Sequence, residues 1–362
     1  MVDRNKESYF MSEIKAIRRN SNLELYRIIL MLLIIAHHYV VSSPILDIIR
    51  ENPTSKESIF LWLFGMWGKT GINCFLMITG YFMCCQNITL RKFLKLFLEV
   101  LFYNVLIYCI FVLFGYQELS IKSIFYCIVP IRHIKDGFIS CFLVFYCFIP
   151  FLNILIKNMN KKEHILLILL SLILYSVFGI LPGFWVSMNY VSWFCVIYFI
   201  ASYIRLYGLL DKVTHSQWGW STLLVVALSM LSVIGFIFLN KKYFHPYHLV
   251  QINAPMAIIV AVCSFMYFKD LKIRQSAFIN ALGASTFGVL VIHINSDTMI
   301  NWLWKDAIDN LSYYYSPYLL LHAIASVFLV YIVCTAIDYI RIILVEKPLF
   351  NYLDKKVFDK NY

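Results

Sequence analysis

Arg27 and His38 lie in one apolar stretch, and their types and spacing suit a shared chemical task. A helix turns about 100° per residue, so eleven positions bring two side chains to within about 20° of one face, about 16 Å apart along the axis. A guanidinium suits phosphate recognition. A neutral imidazole deeper along the same face can take a proton at cellular pH. Glu24 lies three positions before Arg27, near enough to pair with it. His37 points about 100° away and is the poorer candidate. The plainer reading of these residues is a helix-end arginine and a histidine satisfied by a neighbouring helix.

Three further groups of polar residues interrupt apolar runs. The segment from Trp67 to Tyr81 carries Lys69, Asn73 and Thr79 among small residues. Small residues let helices approach, and Asn or Thr can bond across the contact. Lys69 sits near a span end, where snorkelling competes with a role in a site. His293 falls in mid-span at the end of Ser285–His293, with Asn295 and Asp297 following towards the rim. A lone buried histidine is more often structural than functional. Near the C-terminus, Val345-Glu346-Lys347-Pro348-Leu349 reads as a proline that ends the last helix and leaves charges at the surface.

Composition decides what surrounds these residues. The 362-residue chain is 61% hydrophobic and only 14% charged, against about 25% charged in soluble domains. Such a surface must be covered by lipid. A span needs roughly 20 mostly apolar residues, and ten such stretches are expected, near 23–43, 63–84, 93–114, 138–156, 164–182, 187–207, 219–239, 250–268, 281–301 and 318–342. The expected fold is therefore an all-α polytopic membrane protein, a bundle of about ten transmembrane helices. It divides into an N-terminal segment 1–20, a transmembrane domain 21–350 and a tail 351–362. Of the 31 basic residues, 22 fall on the side that holds both termini and 8 on the other, with Lys69 inside a span. By the positive-inside rule, both termini are cytoplasmic.

The formal charge of +11 is spread over short loops rather than a patch, which excludes a nucleic-acid partner. The ten cysteines lie almost entirely in apolar stretches, without metal-ligand or Cys-x-x-Cys spacing, so neither a disulfide framework nor a metal site is expected. About 22 polar residues precede the first apolar run and no small-residue cleavage site follows it, so that run is expected to persist as an anchor. The loop 115–137, with Ile131-Arg132-His133-Ile134-Lys135-Asp136, is polar enough to meet a hydrophilic substrate, or to serve as a solvated connector.

In this order, the motifs resemble the bacterial membrane-bound acyltransferase 3 family over roughly residues 20–350. Asn22-Leu23-Glu24-Leu25-Tyr26-Arg27 resembles the family's opening, and Arg27 and His38 match its arginine, ten residues and histidine. Gly71–Tyr81 is similar to its aromatic-rich segment ending in Ser-Gly-Phe or Ser-Gly-Tyr, with Thr79 in place of the serine. Phe148-Ile149-Pro150-Phe151-Leu152-Asn153 is similar to its Pro-Phe-Leu-Asn span end, and Tyr198–Tyr207 to its sixth-span ending. Phe287–His293 resembles the Gly-x-Tyr-Leu-x-His element, with Val289 and Leu290 where an aromatic followed by leucine is preferred. Glu346-Lys347-Pro348 resembles the terminal Glu-Lys/Arg-Pro, and Gly137-Phe138 stands where a tryptophan is common.

The resemblance implies an O-acyltransferase in the bacterial cytoplasmic membrane. It would move an acyl group, commonly acetyl, from cytoplasmic acyl-CoA to a hydroxyl of a surface or secreted polysaccharide or its precursor. Arg27 and His38 would be essential: Arg27 for the donor's phosphates or pantetheine, His38 as general base or as a transient acyl carrier. Glu24, Lys69, Asn73, Thr79, His293 and Glu346 are the further candidates for donor or acceptor contacts. A transporter or flippase for a lipid-linked or glycan precursor is the alternative from another class. It shares the spans and intramembrane charges, yet no inverted repeat or paired broken helices are seen in the sequence.

Overall fold

The computed structural model describes residues 19–132, 134, 137–239 and 245–358, without the side chains of 357 and 358. His133, Lys135 and Asp136 of the polar loop, and nearly all of the segment 1–20, lie outside the described residues. The architecture is all-helical, with no strand among the described residues.

Among the described residues, eight helices are long and apolar enough to cross a membrane. They are α1 (Ser21–Val41), α2 (Lys56–Met83), α3 (Leu90–Leu113), α4 (Phe138–Asn158), α5 (Lys161–Ile180), α6 (Tyr190–Tyr207), α7 (His215–Leu239) and, after three shorter elements, the final helix Leu319–Lys356. The shorter elements are α8 (Pro255–Lys269), α9 (Ala277–His293) and α10 (Asp297–Ala307), so the final helix is α11.

Two of the expected spans differ from straight membrane helices. The stretch 250–268 becomes α-helical only from Pro255, after a short 3₁₀ turn at His248–Val250, and proline suits a first turn because it has no N–H to leave unpaired. The stretch 281–301 is not one helix: α9 and α10 meet at a 96° bend after His293. Ser296 starts α10 by accepting a hydrogen bond from the Met299 N–H, a capping geometry that a continuous helix would not use.

The last helix also departs from expectation, because Pro348 does not end it. A π-helical turn at Ile342–Glu346 precedes Lys347–Leu353, with Pro348 in the first turn of that segment. The wider turn takes up the missing N–H and the ring clash that proline brings to an α-helix. One consequence is that Glu346 points inward and is buried rather than lying on the surface.

α1, α2 and α6 form the centre and α5 and α7 the periphery: 56% of the apolar window is buried in each of the first three, against 17% in α5 and in α7. Leu166, Leu169 and Leu170 of α5, and Leu223, Leu224 and Leu231 of α7, stay exposed, as lipid-facing side chains would. Lipid tails are as apolar as leucine, so the inner helices must be held by close packing and polar cross-links. Asn73 on α2 donates to the Ile252 carbonyl at 2.7 Å and accepts from the Trp193 indole of α6 at 2.9 Å. Asn153 on α4 donates to the Met83 carbonyl at 3.0 Å and accepts from Tyr198 at 2.6 Å. Arg205 donates to the Tyr81 hydroxyl at 3.0 Å. At one end of the bundle, Asn22 donates to the carbonyls of Phe268 and Lys269, which ties the start of α1 to the end of α8.

Candidate active site

α1 places Arg27 and His38 on the wall of a single cavity of about 670 Å³. Helical periodicity aligned them, and the neighbouring helices leave space beside that face. At one end the wall carries Arg27, Lys92, Lys95 and Glu99; at the other, Lys69, Tyr190, Asp297 and Ile300. The middle is apolar, with Met31, Ile34, Leu96, Phe142, Phe287 and Leu290. The cavity therefore runs along α1 from a cationic mouth to a mixed rim, with His38 towards the rim.

His38 is half-buried, and its Nδ1 lies 2.8 Å from Ser42 Oγ, one turn further along α1. With Nδ1–H donating to that hydroxyl, Nε2 keeps its lone pair, the state a general base requires. The ring of His293 stands edge-on to His38 with centroids 5.4 Å apart. His293 is fully buried, its Nδ1 is bonded to the Val289 carbonyl at 2.6 Å, and its Nε2 has no partner among the described residues. His37 also reaches the cavity wall, but its Nδ1 is engaged by the Gly65 carbonyl at 2.5 Å, and Gly68 packs against its ring so closely that a Cβ would overlap it.

At the mouth, Glu24 pairs with Arg27 at 3.4 Å and with Arg19 at 3.3 Å. Lys95 is held by Glu346 at 2.6 Å. Glu346 also accepts from Arg341 at 3.0 Å, and Arg341 meets Asp338 at 2.9 Å and Glu99 at 3.2 Å. Tyr103 donates to Asp338 at 2.8 Å. A buried network thus joins α3 to α11 directly behind the cationic mouth.

Of the residues singled out from the sequence, Arg27, His38, Lys69 and Thr79 meet on the cavity wall. Lys69 donates to the Tyr190 hydroxyl at 2.6 Å, and Thr79 donates to the Phe75 carbonyl at 3.0 Å. Glu24, His293 and Glu346 stand behind the wall, in contact with Arg27, His38 and Lys95 respectively. Asn73 is fully buried with both ends of its amide used between helices, and it does not face the cavity. Sequence reasoning missed Lys92, Lys95 and Glu99. Their spacing of three and four residues marks one face of α3, but lysines near a span end also satisfy the positive-inside rule without any site.

The sequence profile of the acyltransferase 3 family, described as an acyltransferase domain, matches residues 20–339. The chain belongs to that family and is a membrane acyltransferase by class. No curated protein and no solved structure was found to match it.

Proposed function

We propose that the protein transfers an acyl group, acetyl above all, from acyl-CoA to a hydroxyl of a surface or secreted polysaccharide or its precursor. The observation that carries this reading is the continuity of one cavity from the cationic mouth at Arg27, Lys92 and Lys95 to the imidazole of His38. A thioester donor is an anionic nucleotide joined to a long, thin, largely uncharged arm, and a mouth of cations followed by an apolar passage suits both parts. The ten-span topology with cytoplasmic termini, favoured by 22 basic residues against 8, would open that mouth to cytoplasmic acyl-CoA in the bacterial inner membrane.

In this reading Arg27, oriented by Glu24, holds the donor. His38 Nε2 takes the proton of the acceptor hydroxyl as its oxygen attacks the thioester carbonyl carbon. The carbon–sulfur bond then breaks, and the proton passes from His38 to the departing thiolate. Lys69 and Thr79 line the path of the carbonyl or the acceptor, and His293 supports His38 from behind.

The test is turnover by purified protein in lipid nanodiscs, with radiolabelled acetyl-CoA and de-O-acylated surface polysaccharide of the producing cell. Transfer of label by wild type and its loss in both Arg27→Ala and His38→Ala is expected. A protein that moves the glycan across the membrane without consuming acetyl-CoA would point to a transporter instead.

A further inference from the structure

Beside the main cavity lies a second cleft of about 460 Å³, which shares Gly137, Phe138, Ile294, Asp297 and Ile300 with it as a common wall. It lies at the end of α3 away from the cationic mouth, between that helix, the loop that follows it and the bend between α9 and α10. Its volume falls in the range of about 300–1,000 Å³ typical of small-molecule sites.

The lining differs in chemistry from that of the main cavity. Asn104, Gln117, Asn295, Asp297 and Thr298 bring amides, a carboxylate and a hydroxyl to it, beside the rings of Tyr108 and Tyr126. Among the described residues its charged side chains are one carboxylate, Asp297, and one guanidinium, Arg132, which stacks 3.7 Å over the Tyr126 ring. The balance of charge suits an uncharged ligand. The many groups that both donate and accept suit one covered in hydroxyls.

The bend after His293 builds this cleft. Asn295 leaves the helix there and donates from its side-chain amide to Asn104 Oδ1 at 3.0 Å, while Asn104 Nδ2 donates to the Cys127 backbone carbonyl at 3.3 Å. Tyr108 is fixed by the Ser120 N–H at 3.1 Å and the Glu118 carbonyl at 3.3 Å. These bonds hold the frame and leave the Asp297 carboxylate, the Thr298 hydroxyl and the Gln117 amide without hydrogen bonds to other described side chains. A straight span 281–301 would have turned the residues after His293 onto successive helix faces instead of gathering them.

We propose that this cleft is a saccharide subsite, which takes an uncharged sugar unit and presents its hydroxyl across the shared wall towards His38. The assignment rests on the acyltransferase reading for its purpose, but not for its binding chemistry. Asp297 and Ile300 face both spaces, so a sugar held by Asp297, Thr298 and Asn295 would have its reactive edge at the boundary with the donor path. Asp297 and Thr298 then determine which acceptor is used.

The test uses full-length protein in nanodiscs and oligosaccharides released by mild acid from the producing cell's own de-O-acylated polysaccharide. Saturation-transfer NMR, without any acyl-CoA, reads binding. Wild type is expected to bind, and Asp297→Ala and Thr298→Tyr to weaken binding about tenfold, the worth of one or two hydrogen bonds in the first case and of a filled cleft in the second. Thr298→Tyr alone decides if Asp297→Ala does not fold, and thermal unfolding reports which variants are folded. Absence of saccharide binding by wild type, or wild-type binding by a folded variant, overturns the subsite. The enzyme reading fails separately: saccharide binding that the variants lose, without acyl transfer by wild type, leaves the cleft assigned and removes the acyltransferase chemistry. Acyl transfer with unchanged acceptor KM in both variants does the reverse.

Discussion

His38 and Ser42 sit one helical turn apart on α1, and the Nδ1 of the first lies 2.8 Å from the Oγ of the second. That contact holds the ring, and when Nδ1–H donates to the hydroxyl, Nε2 keeps its lone pair. Ser42→Ala removes the partner and lets the ring rotate or change tautomer. Under the proposed reaction kcat falls about tenfold, roughly 1.4 kcal/mol of barrier, while KM for the donor stays as in wild type. Ser42→Thr, which keeps the hydroxyl, restores most of the rate. Steady-state kinetics of the three proteins checks this, and an unchanged kcat in Ser42→Ala would remove Ser42 from the positioning of the base.

Arg341 carries a different burden. It is 6% exposed and stands among three carboxylates, Glu99, Asp338 and Glu346, with Lys95 as the other cation of the cluster. Arg341→Met leaves those carboxylates largely uncompensated in a buried site, and removing one partner of a buried ion pair costs about 3–5 kcal/mol. The expected result is a marked fall in the detergent-solubilised unfolding temperature, or loss of folded protein on fluorescence-detected size exclusion. A fully stable Arg341→Met protein would mean that the carboxylates take up protons at little cost and that the network does not hold α3 against α11.

Gly283 offers a more local test. A Cβ there would overlap the Glu24 carboxylate, which pairs with Arg27 at 3.4 Å. Gly283→Ala must therefore push Glu24 aside and Arg27 with it, at an overpacking cost of about 1–3 kcal/mol. Under the proposed reaction KM for acyl-CoA rises by about tenfold with a smaller change in kcat, as it does when donor binding weakens equally in the ground and transition states. Paired thermal and kinetic measurements on this variant separate a strained but functional protein from one whose donor site has moved.

The sequence made the Arg27–His38 alignment visible because helical periodicity is a local property and both residues lie on one uninterrupted helix. Lys92, Lys95 and Glu99 are equally periodic, yet the loop-charge rule accounts for the lysines without a site and conceals the face they form. The bend after His293 is hidden for another reason. The polar run Asn295-Ser296-Asp297-Thr298 interrupts the apolar pattern there, and Ser296 caps α10 within it, but nothing local gives the angle at which the chain sets off again. That Asn73 bonds across a helix contact is legible from the small residues around it, but its partners are not. Its partners are an indole 120 positions away and a carbonyl 179 positions away, and nothing in the local pattern announces either. At Pro348 a rule about single residues gives way to a change of helix type, since the π turn at Ile342–Glu346 accommodates what an α-helix would not.

Under the proposed reaction, the surroundings of His38 favour direct transfer over an acyl-histidine. An acylated imidazole would place a neutral, reactive amide on a half-buried ring whose Nδ1 is bonded to Ser42 and whose edge meets His293, with ring centroids 5.4 Å apart. A carrier also gains its advantage when donor and acceptor occupy one site in turn, whereas here a second cleft adjoins the main cavity, the proposed donor path, along a shared wall. With both substrates present together, direct attack needs one proton transfer at Nε2 and no covalent stage. Protein incubated with acetyl-CoA in the absence of acceptor, then denatured rapidly at neutral to mildly alkaline pH, is therefore expected to show its unmodified mass by intact mass spectrometry. Initial-rate kinetics should likewise give lines that intersect rather than run parallel when both substrates are varied. A mass increase of one acetyl group that Ser42→Ala retains and His38→Ala loses would replace direct transfer with an acyl-histidine route.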